Sequence, residues 1–238
     1  MFCLVRDKKA RSFFKYFMMC SSEKKSCVLL STAYWGPVQY YAKLYQYPEV
    51  LLEQYDHYMK QTYRNRCLIA GPDGVLPLTV PVVKPDQPKL PMKDIRISDH
   101  GNWRHLHWNA LESAYRNSAF FEYYADDFRP FYEQKWTFLM DFNEAIQQKV
   151  CALLDLEPHI VRTNSYQKSD ELPFYIADFR EEIHPKHDFL ADRSFYAQPY
   201  YQVFRERHGF LPNLSIADLL FNMGPEGLLV LRNTCKGE

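Results

Sequence analysis

The chain has 238 residues, of which 47% are hydrophobic and 16% aromatic, enough to bury the core of one large domain or two small ones. Lysine plus arginine and aspartate plus glutamate balance at 29 each, so no overall charge attracts nucleic acid or an anionic membrane. No apolar run approaches the roughly 18 residues that a membrane-spanning helix needs. The sequence therefore predicts a soluble globular protein, in which any anion site is a local cluster of basic residues.

The cysteine pattern indicates the redox compartment. The six cysteines are Cys3, Cys20, Cys27, Cys67, Cys151 and Cys235. None forms a CxxC pair, and disulfide scaffolds are usually short and dense in cysteine. The pattern favours reduced thiols in a cytoplasmic protein over a disulfide framework or a cysteine metal site.

The first 26 residues look unlike the rest of the chain. Basic residues precede Phe17, Met18 and Met19, but this apolar run is far shorter than the roughly 7 to 15 residues of a signal peptide. Cys20 also lacks the small residues expected before a lipid-acceptor cysteine. We interpret residues 1–26 as a non-native or disordered extension, with Met18 or Met19 as the biological start, and residues 27–235 as one domain.

The N-terminal half of that domain predicts a strand, a helix and further strands. Residues 27–33 form an apolar run typical of a buried strand, and a Gly-Pro turn then opens a helix over residues 38–45. Residues 50–53 predict a second strand. The turn sequence Gly-Pro-Asp-Gly between residues 66–70 and 76–82 predicts a β-hairpin. A proline-rich loop follows over residues 84–91, and the alternation in residues 94–98 predicts another short strand.

The middle and C-terminal parts are predicted to be mainly helical. Helical periodicity begins after Asn102 and continues to about residue 117, and two more helices are predicted over residues 119–127 and 130–155, the second starting at Pro130. Residues 159–166 favour a strand, residues 181–188 a charged loop, and Ser215 is expected to cap a helix that ends at Gly224. The fold class predicted is α/β, a single mixed domain with a small sheet built from the N-terminal strands and hairpin, packed by the central and C-terminal helices.

A basic segment before the predicted hairpin is one candidate site. If residues 63–66 are extended, Arg64 and Arg66 point to one face and Asn65 to the other, which places a guanidinium fork beside an amide. Such forks suit phosphate or carboxylate, and the residues just upstream, Asp56, Tyr58 and Lys60, add to a convergent anion site. The alternative is an exposed strand with ordinary surface arginines.

An aromatic turn between the first strand and the first helix is a second candidate. Open α/β sheets bind ligands at such positions, so Tyr34, Trp35 and Tyr40 are candidates for stacking on a sugar ring or a base. The alternative is a packed aromatic corner. The turn contains one glycine and no phosphate-loop motif, which disfavours a conventional dinucleotide or P-loop function.

The histidines do not predict a metal site. His107 is on the apolar face of its helix and His105 on the opposite side, so they do not converge with His100 on one ion. His184 follows two glutamates and is a candidate general base, with an exposed charged loop as the alternative. No serine-histidine-aspartate order or GxSxG elbow supports a hydrolase triad.

Several motifs together resemble the WbqC-like protein family. The resemblance spans about residues 28–231, and its clearest segments are Thr32-Ala33-Tyr34-Trp35-Gly36-Pro37 with Gln39-Tyr40-Tyr41, Asp56-His57-Tyr58-Met59-Lys60, Asn65-Arg66, Leu78-Thr79-Val80-Pro81-Val82, Trp108-Asn109, Ala114-Tyr115 and Ser215-Ile216-Ala217-Asp218. The chain departs from the family at its opening, where Ser31-Thr32-Ala33 replaces the usual His-Gln-Pro. The histidine that opens the family's motif is therefore absent from this chain.

The resemblance implies a cytoplasmic bacterial protein associated with surface-polysaccharide, O-antigen-like biosynthesis, and it implies no particular reaction. The leading hypothesis is an enzyme, a transferase in glycan biosynthesis, or a partner of one, acting on a nucleotide-activated sugar or its acyl or aminoacyl donor. Asp56, Tyr58, Lys60 and His184 are its candidate catalytic residues. Its candidate binding residues are Tyr34, Trp35, Gln39, Tyr40, Arg64, Asn65, Arg66, Trp108 and Tyr115.

The competing hypothesis is a non-catalytic accessory protein that binds a sugar or docks on a glycan-biosynthesis enzyme through the aromatic turn. The sequence leaves open the cofactor, the oligomeric state and whether Mg²⁺ accompanies a bound phosphate. An exposed apolar patch would favour docking, whereas a cleft lined by charged residues would favour catalysis.

Overall fold

The computed structural model describes residues 25–84 and 89–235. The predicted N-terminal extension therefore lies outside the described residues, except for Lys25 and Ser26. The strands are β1 (Cys27–Ser31), β2 (Glu49–Glu53), β3 (Arg66–Gly71), β4 (Gly74–Thr79), β5 (Ile160–Arg162) and β6 (Ile176–Asp178). The α-helices are α1 (Val38–Gln46), α2 (Trp103–Tyr115), α3 (Phe121–Glu133), α4 (Leu139–Leu153), α5 (Arg205–His208), α6 (Ile216–Met223) and α7 (Gly227–Thr234).

Four parallel strands form the main sheet, in the order β5-β2-β1-β6. Strand β1 is apolar along most of its length because both of its faces are covered, as is usual for parallel sheets. Val28 and Leu30 face the large core, whereas Cys27 and Leu29 pack with Ile176 in a small cluster on the other face. The predicted α/β class is confirmed.

The connections between strands place β2 on one side of β1 and β6 on the other. From β1 the chain crosses through α1 to β2, then β5 is added beyond β2, and only β6 pairs with the free edge of β1. The strand order therefore reverses between β1 and β6. In open α/β sheets, this reversal point opens a crevice at the carboxyl ends of the strands.

The predicted hairpin is confirmed, although it forms a separate two-stranded sheet. Strands β3 and β4 are antiparallel and pair from Arg66 with Thr79 to Gly71 with Gly74. The turn needs glycine at position 74, where the backbone φ is +112°. The hairpin packs against α2 and α6, which places the segment before β3 next to the end of β1.

Two local predictions are wrong. Residues 94–98 do not form a strand: Met92–Asp94 is a single 3₁₀ turn, and Arg96 and Ile97 make only isolated bridges, to Phe138 and Val82. Pro130 does not start a helix but lies inside α3, and the next helix begins only at Leu139. A proline removes one helical N–H bond, and here the packing of Phe128 and Tyr132 in the core outweighs that loss.

The predicted caps of α6 are confirmed. The Ser215 hydroxyl accepts a hydrogen bond from the backbone N–H of Ala217, and Gly224 ends the helix with φ +54°. A Cβ atom at Gly224 would lie 2.5 Å from the ring of Phe120, so that position also needs the space of a glycine. The Ser215 side chain donates to the carbonyl of Trp35, which ties α6 to the turn after β1.

Candidate functional site

A narrow cleft lies at the carboxyl ends of β1 and β6, where the strand order reverses. It contains about 270 Å³ of space, part of it open to solvent, and it admits little more than water-sized groups. Its walls come from residues 30–33 at the end of β1 and just after it, residues 62–64 before β3, Phe179, Arg180 and Ile183 after β6, and Tyr40 of α1. The turn after the first strand and the arginine-bearing segment thus meet around a common space.

Arg64 is the central charged residue of the cleft, and it is buried. Its Nη2 donates to Asp56 Oδ2 at 2.5 Å, to Ser31 Oγ at 2.9 Å and to Glu181 Oε1 at 3.0 Å, while Nε donates to Asp56 Oδ2 at 3.2 Å. Its Nη1 makes no hydrogen bond to a described residue. Asp56 is as buried as Arg64, whereas the Glu181 side chain is 59% exposed.

Arg180 also lines the cleft, but its donors are fully occupied. Its guanidinium donates to Asp178, Glu53, Ser169 and the carbonyl of Gln167. Although burial raises the pKa of Asp178, the hydrogen bonds from Arg180 and Ser169 hold it below its ordinary value. Arg180 therefore fastens the ends of β2 and β6 together and has no donor left for a ligand.

Helix α4 supports the cleft lining from behind, and Tyr40 of α1 is part of that lining. Asn143 of α4 donates to Thr32 Oγ1 at 3.2 Å and to the Arg64 carbonyl at 2.8 Å, which holds the two segments together. The Tyr40 hydroxyl is buried and has no hydrogen-bond partner among the described residues. A buried hydroxyl usually has a partner, so this one is an exception beside the cleft that Tyr40 lines.

The model of the WbqC-like protein family matches residues 33–187. The chain belongs to this family. It is also similar to the uncharacterized protein Rv1507c of Mycobacterium tuberculosis, with 27% identity over 195 residues, covering 74% of this chain and 84% of that protein. No solved structure matches the chain.

The predicted guanidinium fork of Arg64 and Arg66 does not form in this WbqC-like chain. Residues 63–65 lie in a turn and not on an extended strand, so Arg64 turns inward to Asp56. Arg66 is at the start of β3 and donates to Thr79 Oγ1 at 3.1 Å. Asn65 is buried and donates to the Val80 carbonyl at 2.8 Å, which supports the hairpin.

The aromatic turn is a packed corner, which was the alternative to a ring-binding site. Tyr34 and Trp35 are at most 1% exposed, with Tyr34 stacked on Phe142 and Trp35 against Phe128. Neither has an open ring face among the described residues. Trp35 has φ +45°, a conformation that is rare for a bulky residue and is held by the packing around it.

A series of side-chain hydrogen bonds holds this corner. Burial lowers the pKa of His107 to about 4, so the ring is neutral near pH 7. The Tyr34 hydroxyl shares hydrogen bonds of 2.8 Å with His107 Nδ1 and with the Tyr132 hydroxyl, which also accepts from Trp35 Nε1 at 2.9 Å. All four side chains in this series are buried, and their hydrogen bonds stabilise the fold.

The remaining binding candidates lie outside the cleft lining. Gln39 is buried and donates to Asp192 Oδ2 at 2.9 Å, which fastens α1 to the loop near residue 192. Trp108 is buried against Phe121 and Tyr132. The Tyr115 hydroxyl accepts from the Ala70 N–H at 3.3 Å inside the core.

The four catalytic candidates differ in their distance from the cleft. Asp56 contacts Arg64 directly. Tyr58 is half-buried, and although burial raises its pKa, the charges of Arg66 and Arg64 lower it, so it lies near both. His184 is partly buried, and desolvation followed by the charge of His187 lowers its pKa. Lys60 is exposed in a turn.

Sequence reasoning missed Arg180, Glu181 and Asn143 as parts of the site. Arg180 and Glu181 directly follow β6, so recognising Ile176–Asp178 as a strand would have placed them at its carboxyl end. Asn143 lies on the helical stripe of α4 and carries no local signal. Its position behind the cleft lining depends on tertiary packing alone.

A second depression lies at the opposite edge of the sheet. It is lined by residues 44–48, residues 155–159 and Leu228, and it contains about 830 Å³ of space that is largely open to solvent. Its wall includes Asp155 and Glu157 but no arginine or lysine. It is larger than the cleft, yet it lies at the amino ends of β2 and β5, where open α/β sheets do not usually bind ligands.

Within the described residues, no group of three or more histidine, cysteine, aspartate or glutamate side chains has the arrangement of a metal site. The four cysteines in that part of the chain are free thiols. None of the described helices is both long and apolar enough to cross a bilayer.

Proposed function

We propose that this WbqC-like protein acts in the cytoplasm in bacterial surface-polysaccharide, O-antigen-like biosynthesis, on a nucleotide-activated sugar or its acyl or aminoacyl donor. The observation that carries the proposal is the cleft at the strand-order reversal, which is the preferred ligand position of this sheet topology. The cleft combines a buried arginine, Arg64, with an unpaired buried hydroxyl on Tyr40. A small set of convergent polar groups in an otherwise apolar pocket is typical of such sites.

In this proposal Arg64 binds the charged part of the sugar or acyl donor. The Tyr40 hydroxyl forms a hydrogen bond with the uncharged part of the same molecule. Asp56 orients Arg64, because one carboxylate oxygen holds both Nε and Nη2. Tyr58 and His184 are the candidates for proton transfer, since both lie near Arg64 and each has a perturbed pKa. Because the cleft is narrow, binding requires the loop after β6 to move outward.

The Tyr40→Phe variant tests the site. The hydroxyl has no protein partner, so its removal should leave the free energy of unfolding nearly unchanged. Loss of one ligand hydrogen bond, about 0.5–1.5 kcal/mol, should weaken donor binding roughly two- to tenfold. A panel of nucleotide sugars and acyl donors is screened by thermal shift, and the affinity of each hit is measured by calorimetry.

Tyr45→Phe is the matched control. Tyr45 is on the same helix, and 38% of it is exposed away from the cleft. Binding should be unchanged in this variant. If Tyr40→Phe and Tyr45→Phe bind every donor as tightly as the unmodified protein, the cleft is not the donor site.

The alternative is a non-catalytic accessory protein that holds a sugar or a glycan-biosynthesis enzyme. The narrowness of the cleft favours it, because a site that admits little more than water-sized groups has no room for two substrates side by side. The two functions are separated by following a bound donor by NMR with and without candidate acceptors. Turnover that disappears in a His184→Gln protein with unchanged donor affinity would support catalysis, and binding without turnover would support the accessory role.

A further inference from the structure

Arg64 has an unequal distribution of hydrogen bonds. Its Nη2 carries two hydrogens but faces three acceptors, on Asp56, Ser31 and Glu181. Its Nη1 carries two hydrogens and has no partner among the described residues. The edge formed by Nη1 and Nη2 is one of two guanidinium edges that bind a carboxylate or phosphate through two parallel hydrogen bonds, and Asp56 holds the other, formed by Nε and Nη2. In this protein, only half of the edge formed by Nη1 and Nη2 is occupied.

Among the three acceptors of Nη2, Glu181 differs from Asp56 and Ser31. Asp56 is buried and its oxygen also accepts from Ser31, so it is fixed in the interior. Glu181 is 59% exposed and lies on the irregular segment after β6, next to Arg180. An exposed ion pair contributes little stability, so Glu181 can leave Arg64 at small cost.

We infer that Glu181 occupies the oxyanion position of the cleft and that a carboxylate or phosphate group of the ligand displaces it to bind Nη1 and Nη2 of Arg64. The inference rests on the proposed function in one respect, that the ligand enters this cleft. After displacement, Arg64 still has two anionic partners, Asp56 and the ligand, and the Glu181 side chain is in solvent. Glu181 is thus an internal competitor that sets the affinity for the charged group.

The test compares Glu181→Gln with Glu182→Gln. Both variants remove one negative charge from neighbouring exposed positions, but only Glu181 is paired with Arg64. Binding of inorganic diphosphate and of acetate is measured by calorimetry at constant ionic strength. Loss of an exposed competing ion pair should tighten oxyanion binding about two- to fivefold in Glu181→Gln and leave it unchanged in Glu182→Gln.

The two probes distinguish the source of the oxyanion. A larger gain for diphosphate indicates the phosphates of an activated sugar, and a larger gain for acetate indicates a carboxylate, as in an acyl or aminoacyl group. Equal gains in affinity in both variants would be a general charge effect and would overturn the inference, as would failure of both probes to bind Glu181→Gln.

This result is separable from the proposed function. If nucleotide sugars bind the unmodified protein but Glu181→Gln changes nothing, the displacement inference fails and the proposed function stands. If diphosphate binds and Glu181→Gln tightens it while no donor of the panel binds, the oxyanion site stands and the proposed function fails.

Discussion

Replacing Arg180 with methionine should lower the free energy of unfolding by about 3–5 kcal/mol. The variant would leave the Glu53 carboxylate, which is 1% exposed, without its charged partner in the interior. Glu53 would keep only the weaker donors, the Thr163 hydroxyl and the Tyr55 N–H. An unpaired buried charge is costly because the protein around it solvates it poorly. Urea denaturation monitored by circular dichroism measures the change.

Arg162→Met is the matched control. Arg162 also pairs with two carboxylates, Asp141 and Glu144, but its side chain is 42% exposed. Its loss should cost less than about 1 kcal/mol. In the double variant Arg180→Met, Glu53→Gln, part of the lost stability should return because the uncompensated charge is gone. Equal losses of stability in the two arginine variants would show that burial does not determine how strongly the ion pairs of Arg180 and Arg162 stabilise the protein.

The contrast between Arg180 and Arg64 explains how the edge of the sheet supports a site. Arg180 binds groups from β6, β2 and the segment at residues 167–169, so it holds one wall of the cleft rigidly. Arg64 lies across the cleft and keeps unused donors. A functional site needs a rigid surrounding structure that fixes the geometry of the group that binds the ligand, here the unpaired donors of Arg64.

Local signals were sufficient for much of the fold. The apolar run of β1, the Gly-Pro start of α1, the Gly-Pro-Asp-Gly hairpin turn and the Ser215 cap each act over a few residues, and all four were predicted. Strand β6 is not predicted by the sequence, and the strand predicted over residues 159–166 is longer than β5. Each of these strands has only three residues and forms because it pairs with a neighbouring strand. Strand propensity over so short a segment is weaker than the effect of pairing.

The site was harder to predict because it depends on those two strands. Without β6 in place, the reversal of strand order next to β1 cannot be inferred, and neither can the positions of Arg180 and Glu181. The burial of Arg64 also has no local signal, because the turn at residues 63–65 directs the side chain inward. In the aromatic turn the residue types are a clear local signal, but they fit two interpretations, a ring-binding site or a buried corner of the core. Only the packing of Tyr34 and Trp35 in the folded protein distinguishes the two.

Replacing Asp218 with asparagine should stabilise the protein at neutral pH and have little effect at pH 4. Asp218 on α6 is fully buried and accepts hydrogen bonds from the Tyr200 hydroxyl and from Gln202 Nε2, both at 2.7 Å. Burial raises the pKa of Asp218 from its ordinary 3.8 to about 6, although these hydrogen bonds lower it. The folded state therefore favours the neutral carboxyl.

The direction of the pH dependence follows from this raised pKa. Well below pH 3.8 the carboxyl is neutral in both the folded and the unfolded chain, and its contribution to stability is complete. As the pH rises to about 6, the unfolded chain ionises first, and the folded state loses roughly 3 kcal/mol relative to it. Asparagine keeps an acceptor oxygen for Tyr200 and Gln202 and does not ionise, so it should recover up to that amount above pH 6.

Denaturation curves at pH 4 and pH 7.5 measure the effect, with Asp126→Asn as the control. Asp126 is exposed on α3, so its replacement should shift both curves equally. If Asp218→Asn instead destabilises the protein at pH 7.5, the hydrogen bonds that the Asp218 carboxylate accepts from Tyr200 and Gln202 outweigh the cost of burying its charge. The stabilisation expected from asparagine would then be wrong.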